Sequence, residues 1–272
     1  MKLVLLIAHT PEGDVQHRYV AKKLADTFPE ELQAIVIATG VAKPKLQKLK
    51  AWWKRYTLPQ IASRIGVKIS RTLTKHDEQR RAAFRSVLFP DGDDGLMPRR
   101  DLIVRVPSHN GAECLALLDW IKPDVVAVYG TLIIGRKVIA ASPRILNIHT
   151  GLSPYYRGSD TIFWPLHNGE PDYVGVTVHR LEAGVDSGPI LATARPAIEP
   201  DDIEDTLFAK CVKLGADLLC EQIVREYAGT SSPETQDLSL GMEYRSVDRT
   251  LASERRTAKA IEGGLLRRTT GR

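Results

Sequence analysis

Short, almost wholly apolar runs recur along the chain, separated by stretches in which apolar residues return every three or four positions. "KLVLLIA" (Lys2 to Ala8), "LQAIVIAT" (Leu32 to Thr39), "DLIVRV" (Asp101 to Val106), "DVVAVYG" (Asp124 to Gly130) and "ILNIH" (Ile145 to His149) are five such runs. This length and composition predict strands buried on both faces, as in a parallel sheet. Between them, Val15 to Phe28 and Asn110 to Ile121 carry a helical period, and a short helix is expected around Ile134 to Ala141. Strand, helix and strand at this spacing predict crossover units of one hand.

The second half changes rhythm. Thr161 to His167 reads as helical, and "YVGVTVHRL" (Tyr173 to Leu181) and "GPILATARPAI" (Gly188 to Ile198) read as two strands joined by the tight segment "EAGVDSG". Asp202 to Ala228 is a long amphipathic helix with acidic residues at its start, as the helix dipole prefers. The expected architecture is therefore α/β: a doubly wound, mostly parallel sheet with an antiparallel or mixed end. Residues 1–228 form the expected main domain. Lys43 to Asp94 interrupts it as a basic, helical insertion, and 229–272 is a polar extension expected to be flexible and solvated.

Composition narrows the class. With 272 residues, 43% of them hydrophobic, the chain can bury a sizeable core. Its net charge of +5 favours an anionic ligand but is too small to establish nucleic-acid binding. Cys114, Cys211 and Cys220 form no CxxC pair, and their odd number argues against a disulfide framework, so a reducing compartment is expected. Cys211 and Cys220 fall in the long helix and read as core filler. The apolar start is too short for a signal peptide or a membrane span, so a cytoplasmic protein is expected.

Chemistry concentrates at "ILNIHTGLSPYYRG" (Ile145 to Gly158). In open α/β sheets, ligands bind beyond the carboxyl ends of the strands. Residues two apart on a strand share a face, so Asn147 and His149 project together, where an amide and an imidazole can serve one developing oxyanion. Asp186, between Gly184 and Gly188, is the best carboxylate to orient the ring. His179 shares a face with Thr177, and a structural hydrogen bond is as good a role for it as a place in the site. On spacing alone, a structural role for Asn147 and His149 also stays open. Lys43 to Arg55 has six basic residues and no acid beside Trp52, Trp53 and Tyr56. An amphipathic helix with Trp packed inward, a nucleic-acid surface and a lid or oligomer contact all fit that stretch, the first best.

"LNIHTGLSPYYRG" and "VGVTVHRLEAGVDSGPIL" resemble the two signatures of the folate-dependent formyltransferases, and "KPDVVAVYGTLI" is similar to their folate-pocket strand and loop. The resemblance covers about Leu102 to Glu226, and implies a Rossmann-like formyltransferase fold and transfer of a formyl group from 10-formyltetrahydrofolate to an amine. It implies catalytic roles for Asn147, His149 and Asp186 without a metal. It places the donor against Tyr129, Gly130, Thr131, Leu132 and Ile133 and the backbone of Glu182, Ala183, Gly184 and Val185. Gly151-Leu152-Ser153-Pro154 stands where the family often shows "SLLP", so Gly151 and Ser153 depart from that loop. Lys43 to Asp94 aligns with nothing in the family pattern.

The acceptor is less defined. "HTPEGDVQHRYV" after the first strand lacks consecutive small residues to cradle a phosphate, which disfavours glycinamide ribonucleotide. Too little chain follows the long helix for the C-terminal barrel of the tRNA-formylating relatives, and no regulatory domain precedes the first strand as in the deformylating hydrolase. A small-molecule amine remains: an amino-sugar nucleotide, or the amine of a secondary metabolite or peptide. Its expected contacts are His9, His17 and Arg18 after the first strand and Ser153, Tyr156, Arg157 and Gly158 in the loop. A hydrolase releasing formate and a nucleic-acid-binding module are the competing readings. Homo-oligomerisation is left open.

Overall fold

The computed structural model describes residues 1–8, 14–40, 56–92 and 95–268. His9 and the stretch Lys43 to Arg55 lie outside them. The core is a seven-stranded sheet in the order β3-β2-β1-β4-β5-β7-β8. Its strands are β1 (Leu3–Ala8), β2 (Leu32–Ala38), β3 (Ile103–Val106), β4 (Val125–Tyr129), β5 (Ile145–His149), β7 (Val176–Arg180) and β8 (Ile190–Ala194). A short strand β6 (Tyr156–Gly158) lies outside it. The first five pair in parallel, while β7 runs antiparallel to both β5 and β8. The strand order reverses between β1 and β4, and the loops at that edge precede the site described below.

Side-chain alternation sends the strands into two cores. Leu3, Leu5, Ile7, Ala127, Leu146, Ile148, Val176 and Val178 face α1 (Val15–Thr27) and the long C-terminal helix of residues 204–228. Val4, Leu6, Val126, Val128 and Ile145 face the helices of residues 112–121 and 136–139. In chain order the helices after α1 are α2 (Leu58–Leu73), α3 (His76–Leu88), α4 (Ala112–Ile121), α5 (Arg136–Ile139), α6 (Phe163–Asn168), α7 (Glu204–Ala228) and α8 (Leu251–Glu262). Gly215 lets α7 close on the sheet under the polar strands. A Cβ there would stand 2.7 Å from Ile148 Cγ2 and 2.8 Å from Val176 Cγ2.

Two segments pack more closely than their composition suggests. The insertion is partly core: Phe84 and Leu88 of α3 are buried, and Phe84 stacks on Phe208 of α7 with ring centroids 5.4 Å apart. The extension is not a solvated tail, at least to residue 268. It carries β9 (Met242–Tyr244), which pairs in parallel with β6, and α8, whose Thr257 Oγ1 bonds His167 Nδ1 at 2.9 Å. Leu266 beyond α8 is 1% exposed. Arg249 anchors the segment through Glu204, Asp160 and Glu254 while its guanidinium lies 4.0 Å over the Phe163 ring. Polar composition concealed this because ion pairs and aromatic stacking hold much of the extension, with Ile261, Leu265 and Leu266 closing on the core.

Candidate active site

Asn147 and His149 do share a face of β5, and cross-strand pairing sets His179 and Thr177 of β7 opposite them. Asn147 Nδ2 donates to His179 Nε2 at 3.1 Å, and His179 Nδ1 donates to the Arg180 carbonyl at 2.9 Å. This orients the Asn147 amide and uses one of its two N–H groups, leaving the other for a ligand. Thr177 Oγ1 donates to the Gly151 carbonyl at 2.8 Å and accepts from Ser153 N at 2.9 Å, which fixes the loop leaving β5. Gly151 is required here for space: a Cβ would lie 2.4 Å from His149 Nε2 and 2.7 Å from Thr161 Cβ.

The segment after β7 folds back over this face and delivers Asp186. Its Oδ2 lies 3.3 Å from His149 Nδ1 and accepts the Gly158 N–H at 3.0 Å, while Oδ1 lies 3.6 Å from His179 Nε2. Burial alone would push the carboxyl up. The His149 imidazole and the Gly158 N–H outweigh it and hold Asp186 well below the usual carboxylate range. His149 Nε2 donates to the Tyr156 carbonyl at 2.9 Å, so both ring nitrogens face acceptors. Asp186 has φ +48°, in the left-handed region that a non-glycine residue occupies only when its surroundings enforce it. Gly188 must be glycine, because a Cβ would stand 1.8 Å from the Arg180 carbonyl oxygen.

The other expected residues separate into two groups. Leu132 and Ile133, 86% and 79% exposed, project from the loop after β4, and Asn110 fixes that loop through the Ile133 carbonyl and the Gly135 N–H. Gly130, Glu182, Ala183 and Gly184 are exposed, and Thr131 and Val185 are half-buried. Among the described residues no hydrogen bond engages the backbone of Glu182 to Val185. Tyr129, by contrast, is buried in the core beside His17, with ring centroids 5.2 Å apart. His17 is buried too, and burial lowers its basicity despite Asp14 nearby. Ser153, Tyr156 and Arg157 likewise point inward. The Tyr156 hydroxyl bonds Glu170 and Asn168, and Arg157 Nε donates to the Pro154 carbonyl at 3.3 Å. Arg18 is half-buried, and Gly158 touches the site through its N–H.

Sequence reasoning missed Gln236 and Tyr244. Gln236 Nε2 donates to the carbonyls of Asp186 and Gly188, and the Tyr244 carbonyl accepts the Ser159 N–H. No local pattern marks either, because both act through backbone contacts from a distant part of the chain. Among the described residues, no group of three His, Cys, Asp or Glu side chains is arranged to hold a metal, and no helix is long and apolar enough to cross a membrane.

Comparison with known proteins bears on the fold and the family. A methionyl-tRNA formyltransferase of Caldanaerobacter subterraneus is 30% identical over 173 residues, covering 63% of this chain and 56% of that protein. The chain thus spans about half the length of the curated relatives it matches. Among solved structures, a 4-N formyltransferase from Francisella tularensis superposes with a TM-score of 0.58 at 14% identity, over 95% of this chain and 87% of that one. An N-formyltransferase from Helicobacter canadensis, in complex with folinic acid and dTDP-3-aminofucose, gives 0.54 at 16% identity, over 96% and 81%. Both share the α/β fold. The formyl transferase family profile matches residues 72–223, which takes in α3 and the last part of the insertion, and the chain belongs to that family.

Proposed function

We propose that the protein is an N-formyltransferase that moves a formyl group from 10-formyltetrahydrofolate to the amine of a small phosphate-bearing acceptor, an amino-sugar nucleotide. The observation that carries the reading is the clasp of Asp186 by His149, His179 and the Gly158 N–H beside a half-engaged Asn147 amide. The residues fit the donor: Leu132 and Ile133 offer exposed apolar surface for a flat ring, and the unengaged backbone of Glu182 to Val185 offers donors and acceptors for its edge. The donor supplies an activated formyl carbon.

The chain's own residues do the rest. Asn147 donates its remaining N–H to the oxygen on which negative charge builds as the amine adds. His149 supplies a charged N–H to the same oxygen, exchanging its bond to the Tyr156 carbonyl for it. Asp186 keeps the ring oriented and accepts the proton lost by the amine, directly or through water, and that proton goes on to the donor nitrogen as its bond to the formyl carbon breaks. The choice of acceptor is supported by the solved neighbours of similar fold that align over nearly the whole chain, one of them in complex with an amino-sugar nucleotide.

The test is incubation of the full chain with 10-formyltetrahydrofolate and a panel of amino-sugar nucleotides, amino acids, peptidyl amines and methionyl-tRNA, read by mass for a formyl gain. Gain on a sugar nucleotide supports the reading. Gain on methionyl-tRNA alone, or release of formate without any amine, refutes it.

A further inference from the structure

We infer that Gln236 is a positioning residue for Asp186, and that the segment Glu234 to Tyr244, outside the residues matched by the family, completes the site. The inference rests on the catalytic reading of Asp186 given above. Gln236 Nε2 donates one hydrogen to the Asp186 carbonyl at 2.9 Å and the other to the Gly188 carbonyl at 2.6 Å. Two carbonyls facing one nitrogen demand a double donor. An amide NH2 meets that demand, whereas the isosteric carboxylate of Glu would set negative oxygen against both carbonyls. Gln236 is thus matched to this place by chemistry as well as by shape.

What it holds is a backbone that would not hold itself. Asp186 sits at φ +48° and Gly184 at φ +142°, and Asp186 and Gly188 bracket the tightest part of the turn. The segment bearing Gln236 is itself fixed by paired bonds between Glu234 and Ile190 of β8, each 2.8 Å. The same segment then reaches the other side of the clasp. Met242–Tyr244 pairs with β6, and the Tyr244 carbonyl accepts the Ser159 N–H at 2.9 Å, next to the Gly158 N–H that bonds Asp186. Gly158 is held so closely that a Cβ would lie 2.2 Å from the Tyr244 carbonyl oxygen. One strap therefore fixes both the Asp186 backbone and a donor to its carboxylate. A shift of about 1 Å in such a partner is enough to cost roughly a hundredfold in rate.

The experiment reads the Asp186–His149 contact directly and needs no acceptor. The full chain is labelled with 15N-histidine, and the imidazole resonances are titrated in wild type, Asp186→Asn, Gln236→Glu and Gln236→Leu. His149→Asn and His179→Asn assign the signals. Among the described residues, the charged and titratable side chains that face His149 are Asp186 and, edge-on at 6.5 Å between ring centroids, His179. In Asp186→Asn the His149 midpoint moves down. In Gln236→Leu it moves the same way by a smaller amount, about half a pH unit or more. Gln236→Glu, which adds a charge, shifts it from the wild-type value as well, while the histidines not in contact with Asp186 stay in place. Gln236→Leu removes the donors without adding charge, and carries the test if Gln236→Glu does not fold. A His149 midpoint unchanged in the Gln236 variants, with only a lower Tm, overturns the inference. Absence of formyl transfer in the panel assay would instead refute the proposed function and leave this titration readable.

Discussion

Arg249→Met tests whether the C-terminal segment is structurally part of the domain. The guanidinium is 10% exposed and lies 2.7 Å from Glu204, 2.9 Å from Glu254 and 3.1 Å from Asp160, over the face of Phe163. Met keeps most of the aliphatic volume and removes the charge. Breaking a buried ion pair by deleting one partner costs about 3–5 kcal/mol, because the remaining charges lose their compensation. Loss of the cation–π contact adds roughly 1 kcal/mol. Taking about 5 kcal/mol in all, and roughly 2–4 °C per kcal/mol for a chain of this size, Tm falls by roughly 10–20 °C. Asp160 supplies a second signature. Burial raises its carboxyl, Arg249 opposes that, and Glu204 adds to it. Without Arg249 the carboxyl rises further, so the Tm gap between variant and wild type narrows as pH drops through the carboxylate range. Scanning calorimetry from pH 4 to 8 measures both effects. A fall below about 2 °C that does not change with pH would refute the hub as the anchor of this segment.

Gly188→Ala drives a methyl group into the Arg180 carbonyl, so it is expected to lower Tm by several degrees and to abolish transfer by displacing Asp186; thermal melts and rate measurements check both. Asp186, with its folded pKa depressed, contributes stability that is fully present above the ordinary carboxylate value of about 4 and is lost as pH falls through the lower folded value. The part of the Tm difference between wild type and Asp186→Asn that comes from this carboxylate therefore shrinks below about pH 4. All three cysteines are buried, and burial raises each thiol, that of Cys114 to about 11. A thiol reagent at pH 8 should find none in the native protein and three after denaturation; rapid native labelling would contradict the burial.

The parallel half of the fold was legible because buried strands have a composition of their own. β1, β2, β4 and β5 appear where their apolar runs lie, within a residue or so at each end, and α7 follows its apolar period. β3 begins later than its run because Arg100–Leu102 forms a 3-10 turn first. The polar pair on β5 was legible for the same reason: Asn147 and His149 are conspicuous in an otherwise apolar strand, and alternation fixes their shared face. Asp186 could be placed from its flanking glycines, one of which proves to be sterically obligatory. The loop residues were harder. Tyr156 and Arg157 have the chemistry of ligand contacts, but their polar groups are spent on Glu170, Asn168 and Pro154, partners that no local pattern discloses. Gln236, Tyr244 and Arg249 were invisible as site or anchor residues, since each acts through a single long-range contact set within a polar stretch.

The central claim is that Asn147, His149 and Asp186 direct a formyl group onto an amine. Its most direct test follows a labelled formyl carbon from 10-formyltetrahydrofolate in the presence of amino-sugar nucleotides, using wild type, His149→Ala and Asp186→Asn. The account predicts that the label appears as an amide on the acceptor, one for each tetrahydrofolate released. It also predicts a rate about 10²–10⁴ lower in either variant, with the fold retained by circular dichroism. Label recovered as free formate, or variants that transfer at near the wild-type rate, would contradict it.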